Sequence, residues 1–197
     1  MRKSETKALN VTKEAKHRVF VGLGWDPADD PGLVNKVKAM AKGEETHHDL
    51  DLSCYAFDSY KAFAGFVSAL PEHASIANDT IYHSGDNEEG VGEGDDEEIS
   101  VELKDLPDDI HDIIFTATVT SGQSFSDVKS PEMRIADGYT DHNFLHHDLG
   151  ADAPKNANVF IFVKLTRGED GWSMTYIGNY ARDGEIGDYE EYLRSYL

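Results

Sequence analysis

The stretch DLDLSCYAF, residues 49–57, sets the fold class. Leu50, Leu52, Cys54 and Ala56 fall on one face of an extended chain, and Asp49 and Asp51 on the other, because successive strand side chains point to opposite sides. The same period of two recurs along the chain. HRVFVGLGW (17–25), 79–83, 99–103, 112–119, 133–136, 158–166 and 172–180 all read as strands. About eight short strands separated by turns predict a mainly β protein, a two-sheet antiparallel β-sandwich.

Three segments predict short peripheral helices. PGLVNKVKAMAK (31–42) follows Asp30 as N-cap, carries Pro31 at the first helical position and is stopped by Gly43. In YKAFAGFVSAL (60–70), Phe63, Phe66, Val67 and Leu70 share one helical face, and Pro71 ends the run. At the C-terminus (186–197), Tyr189, Tyr192, Leu193 and Tyr196 form a stripe. Plain packing on the sandwich explains all three.

The chain has 197 residues, 39% of them hydrophobic, which suits one domain, 1–197, with a sizeable core. Its net charge is −20, from 38 acids against 18 bases. Such a surface repels phosphate backbones and anionic lipid, so neither nucleic-acid binding nor direct membrane insertion is expected. It attracts cations or a basic partner. Cys54 is the one cysteine, so no intrachain disulfide forms. Residues 1–16 lack the apolar centre of a signal peptide, and no run approaches the ~18 apolar residues of a membrane span. A soluble, cytoplasmic protein is expected.

The strangest segment is GDNEEGVGEGDDEE, residues 85–98. It packs eight carboxylates and four glycines into fourteen residues, between two strands. Charge runs are usually solvated loops, yet such a loop has no need of these glycines. A phosphate cradle opens a helix and uses Lys, whereas residues 62–103 hold no lysine or arginine. An EF-hand starting at Asp86 places Glu97 at position 12 but Val91 where glycine is required. A calcium loop between strands fits better. Calcium takes six to eight oxygens at about 2.3–2.6 Å, and glycines let backbone carbonyls turn inward. Asp86, Asn87, Asp95, Asp96 and Glu97 supply side-chain oxygens; Glu88, Glu89, Glu93 and Glu98 read as solvated. Asp49 and Asp51 add two carboxylates on one face of a strand, about 7 Å apart at Cα. Asp26, at the end of the first long strand, reads either as a further ligand or outer acceptor or as part of a simple turn ahead of Pro27.

GLGWD (22–26), DLDLSCYAF (49–57) and HSGDNEEGVGEGDDEEISVEL (83–103) together resemble the TerD-like tellurium-resistance family of bacterial stress proteins. The family pattern, roughly GDN-x-x-G-x-G-x-GDDE, is matched without a gap by Gly85, Asp86, Asn87, Gly90, Gly92, Gly94, Asp95, Asp96 and Glu97. LPDDIHDIIFTATV, GQSFSDVKSPEMRIAD and FIFVKLTRGEDGWSMTYIGNY look like later strands of the family. The resemblance covers about 9–181. It implies a β-sandwich that binds calcium at one end, two Ca2+ ions held by Asp49, Asp51, Asp86, Asn87, Gly90, Gly92, Asp95, Asp96 and Glu97, with Asp26 nearby. It implies stress and tellurite resistance, other tellurium-resistance proteins as partners, some membrane-anchored, and no catalysis. Departures at 27–48, at 60–79 and at the C-terminal 187–197 leave the metal motifs intact and bear on the partner surface.

Other chemistry is weaker. HHDL occurs twice, with His47, His48 and Asp49, and with His146, His147 and Asp148. Neighbours on a strand face opposite ways, so each pair offers one zinc ligand at most, and exposed or edge histidines are the simpler reading. Cys54 shares an apolar face and reads as an inert thiol. Two alternatives to a calcium-dependent interaction module stand: a Mg2+- or Mn2+-dependent phosphoryl hydrolase, and a module permanently stapled by calcium.

Overall fold

The computed structural model describes residues 1–14, 16–28, 47–91 and 94–197. Twelve strands lie among them, in two six-stranded antiparallel sheets. The first sheet runs β1 (Thr6–Ala8), β12 (Gly171–Ala181), β11 (Val159–Gly168), β8 (Asp112–Val119), β3 (Leu50–Phe57), β4 (Phe63–Val67). The second runs β10 (Asn143–Asp148), β9 (Lys129–Asp137), β2 (Arg18–Asp26), β7 (Glu97–Glu102), β6 (Ile81–His83), β5 (Ser75–Ile76). The expected sandwich is therefore present.

The alternation dictates the core. Leu50, Leu52, Cys54 and Ala56 are fully buried. They share one core cluster with Val19, Val21 and Leu23 of β2 and with Ile99 and Val101 of β7. At about 25 cal/mol per Å2 of apolar surface removed from water, this layer is the main stabilising term.

Two helix expectations meet the structure differently. Residues 60–70 are not helical: Phe63–Val67 form β4, registered on β3 from Cys54↔Val67 to Phe57↔Phe63. Phe63, Phe66 and Val67 satisfy a helical stripe, but the open backbone of β3 needs a partner, and tertiary pairing overrides local propensity. Pro71 instead opens a single 3-10 turn, Pro71–His73. The C-terminal helix is present as α1 (Tyr189–Arg194), with the Asp188 side chain accepting from Glu191 N–H at 3.0 Å. Its stripe covers the outer face of the first sheet: buried Leu193 meets Phe57, Ile114, Val159 and Ile161, flanked by Tyr189, Tyr192 and Tyr196. The helix expected at 31–42 lies outside the described residues. Among the described residues no helix is long and apolar enough to cross a membrane.

Candidate metal centre

The acidic loop is the connection from β6 to β7 in the second sheet. Across the sandwich lies the first half of β3. Because β4 pairs only with Cys54–Phe57, residues 50–53 keep an open edge on that side. Glu97 reaches into this edge, and its Oε2 accepts from Leu52 N–H at 2.7 Å. A side chain of one sheet thus completes the ladder of the other.

Three carboxylates converge here. Ligand atoms of Asp51, Asp86 and Glu97 all lie within 4.8 Å of one another. Oxygens on opposite sides of a calcium ion are about 4.6–5.2 Å apart, so the span suits one such cation. Asp51 is part-buried, Asp86 exposed and Glu97 buried, so the cluster opens outward through Asp86. Burial, reinforced by the charges of Asp49 and Asp86, raises the carboxyl pKa of Asp51 above its ordinary range. Burial also raises that of Glu97, opposed by His83 and by the Leu52 amide. Carboxylates held at such a cost in the ionised form are what a divalent cation relieves.

Beneath the cluster is a residue that sequence reasoning missed. His83 pairs with Ile99 across the hairpin, which puts Glu97 diagonally beside it on the inner face. Its side chain is completely buried. Nδ1 accepts from Gly85 N–H at 3.0 Å, while Nε2 makes no hydrogen bond of ordinary geometry and lies 3.3 Å from Glu97 Oε2.

The other motif residues have structural work. Asn87 Oδ1 accepts from Glu89 N–H and Gly90 N–H at 3.2 and 3.0 Å, and its Nδ2 donates to Asp96 Oδ1 at 2.9 Å. Asp96 Oδ2 accepts from Trp25 N–H at 2.9 Å. Burial, then the charges of Asp95 and Asp26, raises the Asp96 pKa against that amide's pull. Gly90 has φ +63°, and a Cβ there would strike the Trp25 indole, so this glycine permits both a left-handed turn and a close approach. Asp95 faces away from the cluster. It lies over Gly22, where a Cβ would collide with its carboxylate, and takes Arg134 Nε at 2.9 and 3.0 Å and Nη2 at 2.8 Å. Arg134 also donates to Asp141 and Asn143 and lies over the Phe20 ring, 4.8 Å from its centroid. Asp49 accepts from Thr120 Oγ1 at 2.9 Å, and Asp26, exposed, from Ser130 Oγ at 2.7 Å. Gly92 lies outside the described residues. Asp51, Asp86 and Glu97 are thus brought together, while Asp95, Asp96, Asn87 and Asp26 are tied elsewhere in the loop's frame.

The TerD domain profile matches residues 1–189. The chain belongs to the TerD domain family. It is 30% identical over 186 residues to the tellurium resistance protein TerZ of Serratia marcescens, covering 94% of this chain and 92% of that protein. It is 31% identical over 180 residues to general stress protein 16U of Bacillus subtilis strain 168, covering 87% and 84%. The crystal structure of a TerD homologue from Streptomyces coelicolor A3(2) shares the fold with a TM-score of 0.66 at 21% identity, over 84% of this chain and 90% of that one.

Elsewhere in this TerD domain the weaker candidates resolve into packing. Cys54 is fully buried, and desolvation pushes its thiol far above the usual range, away from the reactive thiolate. His146 points outward to Glu132 Oε2 at 2.8 Å. His147 points inward from β10, stacked on Phe160 at 4.8 Å, and its ring nitrogens meet the hydroxyls of Tyr176 and Tyr180 at 3.1 and 3.3 Å. Among the described residues, Asp51, Asp86 and Glu97 are the one group of metal-binding geometry.

Proposed function

We propose that this chain is a calcium-binding stress-response protein of the tellurium-resistance type, a non-catalytic module whose interactions depend on the bound ion. The observation that carries this is the convergence of Asp51, Asp86 and Glu97 from opposed sheets onto a volume of calcium size. Asp51 belongs to the first sheet and Glu97 to the second, so one ion there bridges the two layers and fixes the loop that contains Asp86. Relatives named for tellurium resistance and general stress support the cellular role. A partner among tellurium-resistance proteins, membrane-anchored or not, and a cytoplasmic site of action complete the reading. Two ions are proposed for the whole motif, the first at this cluster. A phosphoryl hydrolase is less favoured because Arg134, a cation that the fold brings to the motif, is committed to Asp95 and Asp141.

Thermal unfolding tests the reading. A cation that binds only the folded chain at a Kd on the order of 10⁻⁵ M, supplied at a hundredfold excess, stabilises it by about 2.7 kcal/mol. Calcium is expected to raise Tm well above that of chelator-treated protein, and Asp51→Asn to abolish the rise. An equal response to magnesium, or none to calcium, contradicts it.

A further inference from the structure

We propose that His83 is a positioning residue of this centre: its Nε2 carries the ring proton beside Glu97, and its wiring keeps the imidazole out of the ligand set. The inference rests on the metal reading above and concerns how the site chooses its ion.

A buried imidazole nitrogen beside a carboxylate of the cluster invites the opposite view, that Nε2 is a fourth ligand. The hydrogen-bond pattern decides against it. Gly85 N–H points at Nδ1 from 3.0 Å, and an amide can only donate, so Nδ1 carries no proton. The ring proton therefore sits on Nε2, which lies 3.3 Å from Glu97 Oε2 without the geometry of an ordinary hydrogen bond. A histidine that ligates a metal donates its other N–H to a carboxylate or a carbonyl. Here a donor occupies that place, which is the reverse polarity.

Glu97 then has a division of labour. Its Oε2 faces Leu52 N–H at 2.7 Å and the His83 ring, whereas Oε1 meets Asn87 N–H at a long 3.4 Å. Oε1 is the freer atom to turn toward a cation with Asp51 and Asp86. With the imidazole excluded, these three residues offer only carboxylate oxygens. An oxygen-only set suits calcium, magnesium and manganese, whereas imidazole favours zinc, copper and nickel. His83 thus acts on selectivity without touching the ion, through the tautomer that Gly85 imposes.

The test is long-range 1H–15N correlation of the His83 ring in the full chain, with chelator, with Ca2+ and with Zn2+, alongside calorimetry of wild type, His83→Gln and His83→Leu. The ring is expected to show a protonated Nε2 and a bare Nδ1 under all three conditions. Leucine is expected to weaken Ca2+ binding about 10- to 100-fold, the usual effect of losing an outer-shell partner. Glutamine, which keeps an N–H near Nε2, is expected to restore most of that loss. A bare Nε2 that shifts on adding either metal, or zinc binding tighter than calcium and lost in His83→Gln, overturns the proposal. The ring spectrum reads the tautomer whether or not metal binds. A wild type with protonated Nε2 and no calcium heat sinks the calcium function alone, and a bare Nε2 sinks the donor role alone.

Discussion

Single residues in the acidic loop divide into those of the carboxylate cluster, Asp86 and Glu97, and those that build its frame. Gly90 belongs to the frame. Alanine there meets both a left-handed backbone and the Trp25 ring, so Gly90→Ala is expected to cost about 1–3 kcal/mol in urea unfolding, with altered tryptophan fluorescence. A loss below about 0.5 kcal/mol contradicts the close approach. Arg134 is the frame's counter-charge. Its register opposite Gly22 carries the guanidinium across that bare position to Asp95. Arg134→Met leaves Asp95 largely buried without its partner, and the expected loss is about 3 kcal/mol. Combining it with Asp95→Asn in a double-mutant cycle is expected to recover much of the loss; strict additivity would show that the pair is not coupled. Asp51, Asp86 and Glu97 are among the residues that the motif spacing singles out, and the fold brings these three together. His83 is not among them, since one histidine in a short strand carries no periodic signal. Nor is Arg134, whose meeting with Asp95 depends on β9 lying beside β2.

At the scale of elements, strong alternation was readable and weak alternation was not. Residues 50–57 and 112–119 are strands at nearly their expected bounds because each presents a continuous apolar face to the other sheet. β10 has no such face: of NFLHHD, no residue is fully enclosed, so it is visible only through its pairing with β9. β4 carries an aromatic stripe at helical spacing, and that stripe serves a five-residue edge strand as well. His147 ties β10 to the first sheet through Phe160, Tyr176 and Tyr180. Burial lowers its pKa below the ordinary 6.5, against the raising charges of Asp148 and Asp152 and together with the lowering ones of His146 and Lys3. The unfolded chain therefore takes up this proton first. Its contribution to stability is present above about pH 6.5 and is lost as pH falls through the folded value. His147→Phe is expected to keep the stack yet lose less stability than wild type between pH 7 and 5, in urea melts at fixed ionic strength. Parallel profiles contradict the assignment.

For the whole molecule, a net charge of −20 is self-repulsion that a bound cation would relieve globally as well as locally. The two sheets share an apolar core, but at the end with the acidic loop their meeting point is Glu97 against Leu52, with Asp51 and Asp86 beside it. On the proposed reading, closing that end around an ion would fix Asp86 against the two sheets and present a surface to a partner. The direct measurement is calorimetric titration of the chelator-treated full chain with Ca2+ and, separately, Mg2+. A Kd for calcium of about 10⁻⁷–10⁻⁵ M, with magnesium much weaker and both heats abolished in Glu97→Gln, is the predicted result. No calcium heat, or a preference for magnesium, contradicts it.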